Sequence, residues 1–305
     1  MHVLMLFVDG VGIGVEDPAV NPCVAACLPN LRAMLGGKIP TLTHPSPGNG
    51  QATVVPLDAN LGVEGLPQSG TGQTALFTGV NAAQYIGKHF GPYPYSTLRP
   101  VIRERNIFRQ LLDVNRDVYF ANAYPQRFFE YFKDKQTRLT VTTLSCSYCN
   151  MALHTVDALA GGKAISADIT NAGWARMGYP YIEVIPPEEA GRRLVRLAKK
   201  HDFVLFEYWR TDKAGHSQNM NDAVESLEVF DGMLGGILAT LDTGTLLVMT
   251  SDHGNIEDMS TKVHTRNPVP AILYGHRHRE AAAALAQQPD LTRMTPLLTN
   301  LISVQ

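Results

Sequence analysis

Cysteine is scarce in this chain. Its four residues are Cys23, Cys27, Cys146 and Cys149, too sparse for a disulfide framework in a protein of this size. Cys146 and Cys149 have CxxC spacing, but no second pair completes a zinc or redox motif. Charge of one sign is missing too: 26 Lys and Arg against 28 Asp and Glu leave a net charge of −2. That balance gives neither a basic footprint for nucleic acid nor a polybasic membrane patch. Long hydrophobic runs are absent. The first apolar run, Val3 to Val8, is broken by Asp9, which is too early for a signal-peptide core or a membrane span. These absences predict a cytoplasmic chain that acts on neither nucleic acid nor membranes. No internal repeat, low-complexity tract or clear linker divides it.

What is present is the composition of an ordinary globular protein, 45% hydrophobic and 18% charged, and 305 residues can bury a full core. Short apolar runs read as buried strands at Val3–Val8, Val118–Ala121, Phe203–Phe206, Thr245–Thr250 and Ala271–Tyr274. Apolar residues recurring at three and four predict helices over Thr97–Leu112, Glu188–His201, Asp222–Leu241 and Thr295–Ser303. The alternation predicts a single α/β domain over residues 1–305, a mainly parallel sheet with helices on both faces. Pro40 to Gly65, rich in Pro, Gly, Asn and Thr, reads as loop with short strands. Tyr124 to Pro187 is aromatic at first, then rich in Thr and Gly, and reads as an irregular insertion (residues 124–187), a small lid or substrate-facing wall.

Polar residues gather where these strands end. Val3–Val8 runs into Asp9, then Gly10-x-Gly12. This begins a dinucleotide-binding fingerprint, but Val15 occupies the third glycine position and no helix start follows. Ser69-Gly-Thr71-Gly leads into a helix, aiming backbone N–H groups at whatever Ser69 or Thr71 touches; the plainer alternative is a capping serine. Phe203–Phe206 leads to Asp212 and His216, and Thr245–Thr250 to Asp252 and His253, with His264 following before a rigid Asn-Pro-Val-Pro. Carboxylates crowded at one sheet edge must be paired or bound to metal. Asp and His ligands without thiolate suit two divalent ions of the Mn or Zn type, a pair able to clamp both oxygens of a phosphoryl transfer.

Asp252-His-Gly-Asn followed by His264-Thr-Arg-Asn-Pro-Val-Pro resembles the C-terminal signature of cofactor-independent phosphoglycerate mutases and phosphopentomutases, within the alkaline phosphatase superfamily. Asp212-Lys-Ala-Gly-His216 is similar to that family's Asp-xxx-His pair, and Val8-Asp9-Gly-x-Gly to its first metal motif. The resemblance implies an alkaline-phosphatase-like fold. It implies one cation held by Asp212, His216 and His264, and another held by Asp9, Asp252, His253 and the Ser69 oxygen. It also implies Ser69 as the nucleophile, with Thr71 as runner-up, and a phosphoserine intermediate.

The chain departs from the mutases in one respect. Little sequence between Ser69 and Asp212 is free for the large basic domain those enzymes carry, so their phosphoglycerate-binding set does not transfer. The layout is similar to compact phosphatases and nucleotide pyrophosphatases. A sulfatase is excluded by the lack of Cys-x-Pro-x-Arg. Lys88, His89 and Arg266 are candidate substrate contacts. The expected activity is therefore a metal-dependent phosphatase or phosphodiesterase acting on a small phosphate ester. The alternatives are a phosphomutase and a non-catalytic, metal-stabilised binding protein. The substrate and the oligomeric state are not legible in the sequence.

Overall fold

Strand β1 (His2–Val8) lies at the centre of a 6-stranded sheet, parallel to both β6 (Phe203–Tyr208) and β7 (Thr245–Thr250). The computed structural model describes residues 1–47, 50–133 and 138–303. The other members of the sheet are β2 (Ala52–Leu57), β3 (Val118–Phe120) and β8 (Val269–Gly275), in the order β2-β8-β7-β1-β6-β3. Two short strands, β4 (Asn122–Ala123) and β5 (Ile165–Ser166), pair separately.

β1, β6 and β7 are buried along nearly their whole length because helices cover both faces. Side chains alternate between the two layers. Val3, Met5, Phe7, Leu205 and Val248 join one core with the Ser69–Thr78, Val141–Tyr148 and Met294–Ser303 helices. Leu4, Leu6, Val204 and Leu247 join the other with the Pro187–Ala198 and Met220–Leu238 helices. The expected parallel sheet is thus present, with an antiparallel margin: β8 runs against β7, and β2 against β8.

The register fixes the functional edge. Val8 pairs with Tyr208, and Phe7 with Thr250, so the chain leaves β1, β6 and β7 at the same end of the sheet. Because β8 is antiparallel to β7, it starts where β7 stops. The loop between them never leaves that edge, and His264 is kept there.

Several elements differ from the sequence expectations. Thr97–Leu112 is not one helix: Asn106 takes an extended conformation and caps a second helix, Ile107–Leu112, by accepting from the Arg109 N–H. Arg210–Ser217, the segment after β6 that carries Asp212 and His216, is helical. The 124–187 stretch is less irregular than its composition predicts. It contains the Gln126–Phe132, Val141–Tyr148 and Val156–Ala160 helices. The middle helix places Val141, Leu144 and Cys146 in the main core. Among the described residues, no helix is long and apolar enough to cross a membrane.

Candidate metal centre

The strand ends bring distant residues together. Gly10, at φ +69°, turns the chain after Asp9, and a Cβ there would lie 2.7 Å from Asp212 Oδ1; only glycine permits both the turn and the approach. Gly72 performs the second close approach, since a Cβ would come within 2.6 Å of the Asp252 carbonyl oxygen. The helix carrying Ser69 therefore sits directly against the end of β7. An edge-to-face contact between Phe77 and Phe7, centroids 5.2 Å apart, holds it on β1.

Ser69 Oγ lies 3.0 Å from His253 Nε2. That nitrogen is also 3.4 Å from Asp9 Oδ1 and 3.5 Å from Asp252 Oδ2. Beside it, His264 Nε2 is 3.5 Å from Asp212 Oδ1 and 3.2 Å from His216 Nε2. His216 Nε2 is 3.4 Å from Asp212 Oδ2. The His253 and His264 rings stack with centroids 3.8 Å apart. Contacts on the far side orient the imidazoles: His264 Nδ1–H donates to the Pro67 carbonyl at 2.7 Å, and His216 Nδ1–H to that of Lys262 at 2.8 Å. Each such bond leaves Nε2 facing the cluster, where it can ligate a cation once it gives up any proton, the usual arrangement of a ligating histidine.

Asp9, Asp252 and His253 form one group able to hold a divalent ion, and Asp212, His253 and His264 another, with the ligand atoms of each within 4.8 Å of one another. Asp9 Oδ1 and both carboxylate oxygens of Asp252 are buried without a hydrogen-bond partner. Buried acceptors in that state are costly unless a cation or water meets them. The donor set, carboxylate and imidazole with no thiolate, suits a divalent cation. His216 is the most exposed of these residues, and it reaches the second group through Asp212 and His264.

The electrostatics agree. Burial, followed by repulsion from Asp252, Asp212 and Glu207, pushes the Asp9 carboxyl well above its ordinary value. Burial also acts to raise Asp212, but hydrogen bonds from His216 and His264 outweigh it and hold that carboxyl low. The same contact with Asp212 pushes His216 up to about 9. Burial lowers His253.

Four supporting residues escaped the sequence reading. Glu257, fully buried, accepts from the Gly12 N–H at 2.9 Å, the Asn255 N–H at 2.7 Å, Asn267 Nδ2 at 3.1 Å and the Thr265 hydroxyl. It ties the turn after β1 to both histidine-bearing segments. Asn255 Nδ2 donates to Asp212 Oδ1 at 2.7 Å. Glu207, in β6, accepts from the Thr142 hydroxyl at 2.6 Å, and burial raises its carboxyl to about 7. Gln73 reaches Asp9 from the Ser69 helix. An acid inside the apolar run Phe-Val-Leu-Phe-Glu-Tyr was the one available signal for Glu207.

Other expected residues lie elsewhere. Thr71 Oγ1 donates to the Gln68 carbonyl at 3.1 Å and accepts from the Phe90 N–H at 3.2 Å, which ties it to the neighbouring loop. Ser69 is not a cap residue: Gln68 takes the cap position and Ser69 opens the helix. Lys88 Nζ sits over the rings of Phe90 and Tyr95, His89 Nε2 is 3.3 Å from the Val63 carbonyl, and Arg266 is exposed. No hydrogen bond or ion pair among the described residues joins these three side chains to the cluster. Cys146 is buried, and Cys149 Sγ lies 3.5 Å from Asn106 Oδ1; neither is among the candidate ligands.

Residues 185–305 match the family model of the Metalloenzyme superfamily, a span that includes Asp212, His216, Asp252, His253 and His264. The chain is 29% identical over 133 residues to a 2,3-bisphosphoglycerate-independent phosphoglycerate mutase of Antithamnion sp., an alignment covering 39% of this chain and 26% of that protein. In fold it is similar to the alkaline phosphatase of the Antarctic bacterium TAB5, with a TM-score of 0.56 at 12% identity over 99% of this chain and 97% of that one.

Over residues 185–305 the chain resembles the Metalloenzyme superfamily, and its fold is alkaline-phosphatase-like.

A Pyrococcus horikoshii protein is also similar in fold, with a TM-score of 0.58 at 14% identity, covering 99% of this chain and 96% of that chain. The chain spans about a quarter, or less, of the length of the curated mutases it matches. Asp9 and Ser69 lie outside the span matched by the family model; the fold brings both of them to His253.

Proposed function

We propose that this protein transfers a phosphoryl group through Ser69, most simply from a small organic phosphate ester to water. The observation that carries the reading is the Ser69 hydroxyl, 3.0 Å from His253 Nε2, where the two candidate cation groups meet on that shared imidazole. Asp212, His216 and His264 would hold one divalent ion; Asp9, Asp252, His253 and Ser69 Oγ would hold the second. When bound, such ions lower the pKa of the serine hydroxyl and neutralise charge on the phosphoryl oxygens. Ser69 lies in the first turn of its helix, where the positive helix end favours the same build-up of negative charge. Its oxygen would displace the alcohol of the ester, forming a phosphoserine that a second acceptor relieves.

The sequence similarity to phosphoglycerate mutases supports a second reading, in which that acceptor is another hydroxyl of the same substrate. The two readings differ in product. Incubation with an aryl phosphate, sugar phosphates and phosphoglycerate in Mn or Zn should yield inorganic phosphate. Isomerised sugar phosphate or phosphoglycerate with no free phosphate would favour the mutase, and no turnover of any ester by the metal-loaded protein would count against both.

A further inference from the structure

We propose that Gln73 is the positioning residue of the Asp9–Asp252–His253 cation site: its amide N–H occupies one oxygen of Asp9 so that the other is presented to the cation. The inference rests on the metal-dependent reading above and deepens it.

Gln73 follows Ser69 by four residues on the same helix, which places both on one face. Its side chain is only 2% exposed. Nε2 donates to Asp9 Oδ2 across 3.5 Å. With a cation bound the carboxylate would be ionised and could only accept, which requires the NH₂ end of the amide to face it. Asp9 Oδ1 has no hydrogen-bond partner and faces His253 Nε2 at 3.4 Å. The two oxygens of Asp9 are thereby distinguished: Oδ2 is engaged by the amide, and Oδ1 is open toward the cluster. Gln73 Oε1 is itself buried without a partner. A buried amide oxygen needs a donor, and a water on a bound cation would be one. The side chain would thus serve the site through the carboxylate it steadies.

The test uses the full-length protein and two apolar replacements of similar reach, Gln73→Met and Gln73→Leu. Mn or Zn affinity is measured by competition with a chromophoric chelator, alongside the melting temperature of the metal-stripped protein. Loss of a ligand-orienting partner weakens binding about 10- to 100-fold. Both variants should lose that much at one of two binding events, keep the other, and melt near wild type when stripped of metal. If the variants bind both ions as tightly as wild type, or lose only melting temperature, Gln73 merely packs and the assignment fails. A wild-type protein that takes up no divalent ion would overturn this assignment together with the reading beneath it.

Discussion

Ser69 Oγ and His253 Nε2 are 184 positions apart in the chain and 3.0 Å apart in the fold. One opens a helix and the other follows a strand. What joins them is the close packing of Gly72 on the Asp252 backbone. This contact places an alcohol against a buried imidazole beside three carboxylate oxygens, Asp9 Oδ1 and both of Asp252, that accept no hydrogen bond.

Ser69→Ala removes the attacking oxygen while leaving Asp9, Asp252 and the histidines in place. Phosphate release should fall by a factor on the order of 10³ or more, with metal content close to wild type. Thr71→Val, which breaks contacts to Gln68 and Phe90, should lower the melting temperature and retain turnover. The reverse pattern in steady-state assays would move the nucleophile to Thr71.

The second site should be sensitive to protons. His216 is raised to about 9 by Asp212, so in the metal-free protein its imidazolium persists through neutral pH. A cation at Asp212, His216 and His264 must displace that proton. Its apparent affinity should therefore rise about tenfold per pH unit up to about pH 9. Calorimetry in buffers of different ionisation enthalpy should show proton release, and its absence would remove His216 from the ligand set. For the metal-free fold the sign is opposite: the Asp212–His216 pair stabilises below the unfolded value of the imidazole and is lost as pH rises through about 9.

His264→Ala should empty the same site. Metal analysis of the purified variant should show about half the wild-type content, with activity lost. Unchanged stoichiometry would contradict the assignment.

Glu257→Ala tests the scaffold apart from the chemistry. It would orphan the buried N–H groups of Gly12 and Asn255, the Asn267 amide and the Thr265 hydroxyl. Unsatisfied buried groups cost about 1–3 kcal/mol each, so metal-stripped protein should lose about 3 kcal/mol or more by denaturant titration. A loss below about 1 kcal/mol would show that water replaces the carboxylate.

Glu189 offers a pH test remote from the site. Hydrogen bonds from Arg196, and more weakly from Arg192 and Arg193, hold its carboxyl at about 2. A depressed folded value means that the stabilisation is complete above the unfolded value of about 4.3 and drains away as pH falls toward about 2. Because the group is partly exposed, Glu189→Gln should cost no more than about 1 kcal/mol at neutral pH. The difference should shrink in high salt and vanish in acid; a difference that grew in acid would refute the sign.

The fold was legible where burial is two-sided. β1, β6 and β7 read as unbroken apolar runs because helices cover both of their faces. The clustering of polar residues at one sheet edge was legible as well, since a strand ending abruptly in Asp or Asp-His stands out. The Thr140–Tyr148 region was not, because Val-Thr-Thr-Leu-Ser-Cys-Ser-Tyr lacks a polar face; it is helical by packing on the Ser69 helix inside the core. The His278–Ala286 helix was missed because its run of alanines has no contrasting stripe. Glu207, Glu257, Asn255 and Gln73 take their roles from partners far away in the chain, which local pattern does not encode.

The most direct test is acid quenching of the metal-loaded enzyme during turnover of a phosphate ester, followed by intact-mass and peptide analysis. The expected result is a single phosphoryl group on the peptide containing Ser69, absent from Ser69→Ala and from metal-stripped protein. Sustained turnover with Ser69 never carrying phosphate under any quench would contradict it.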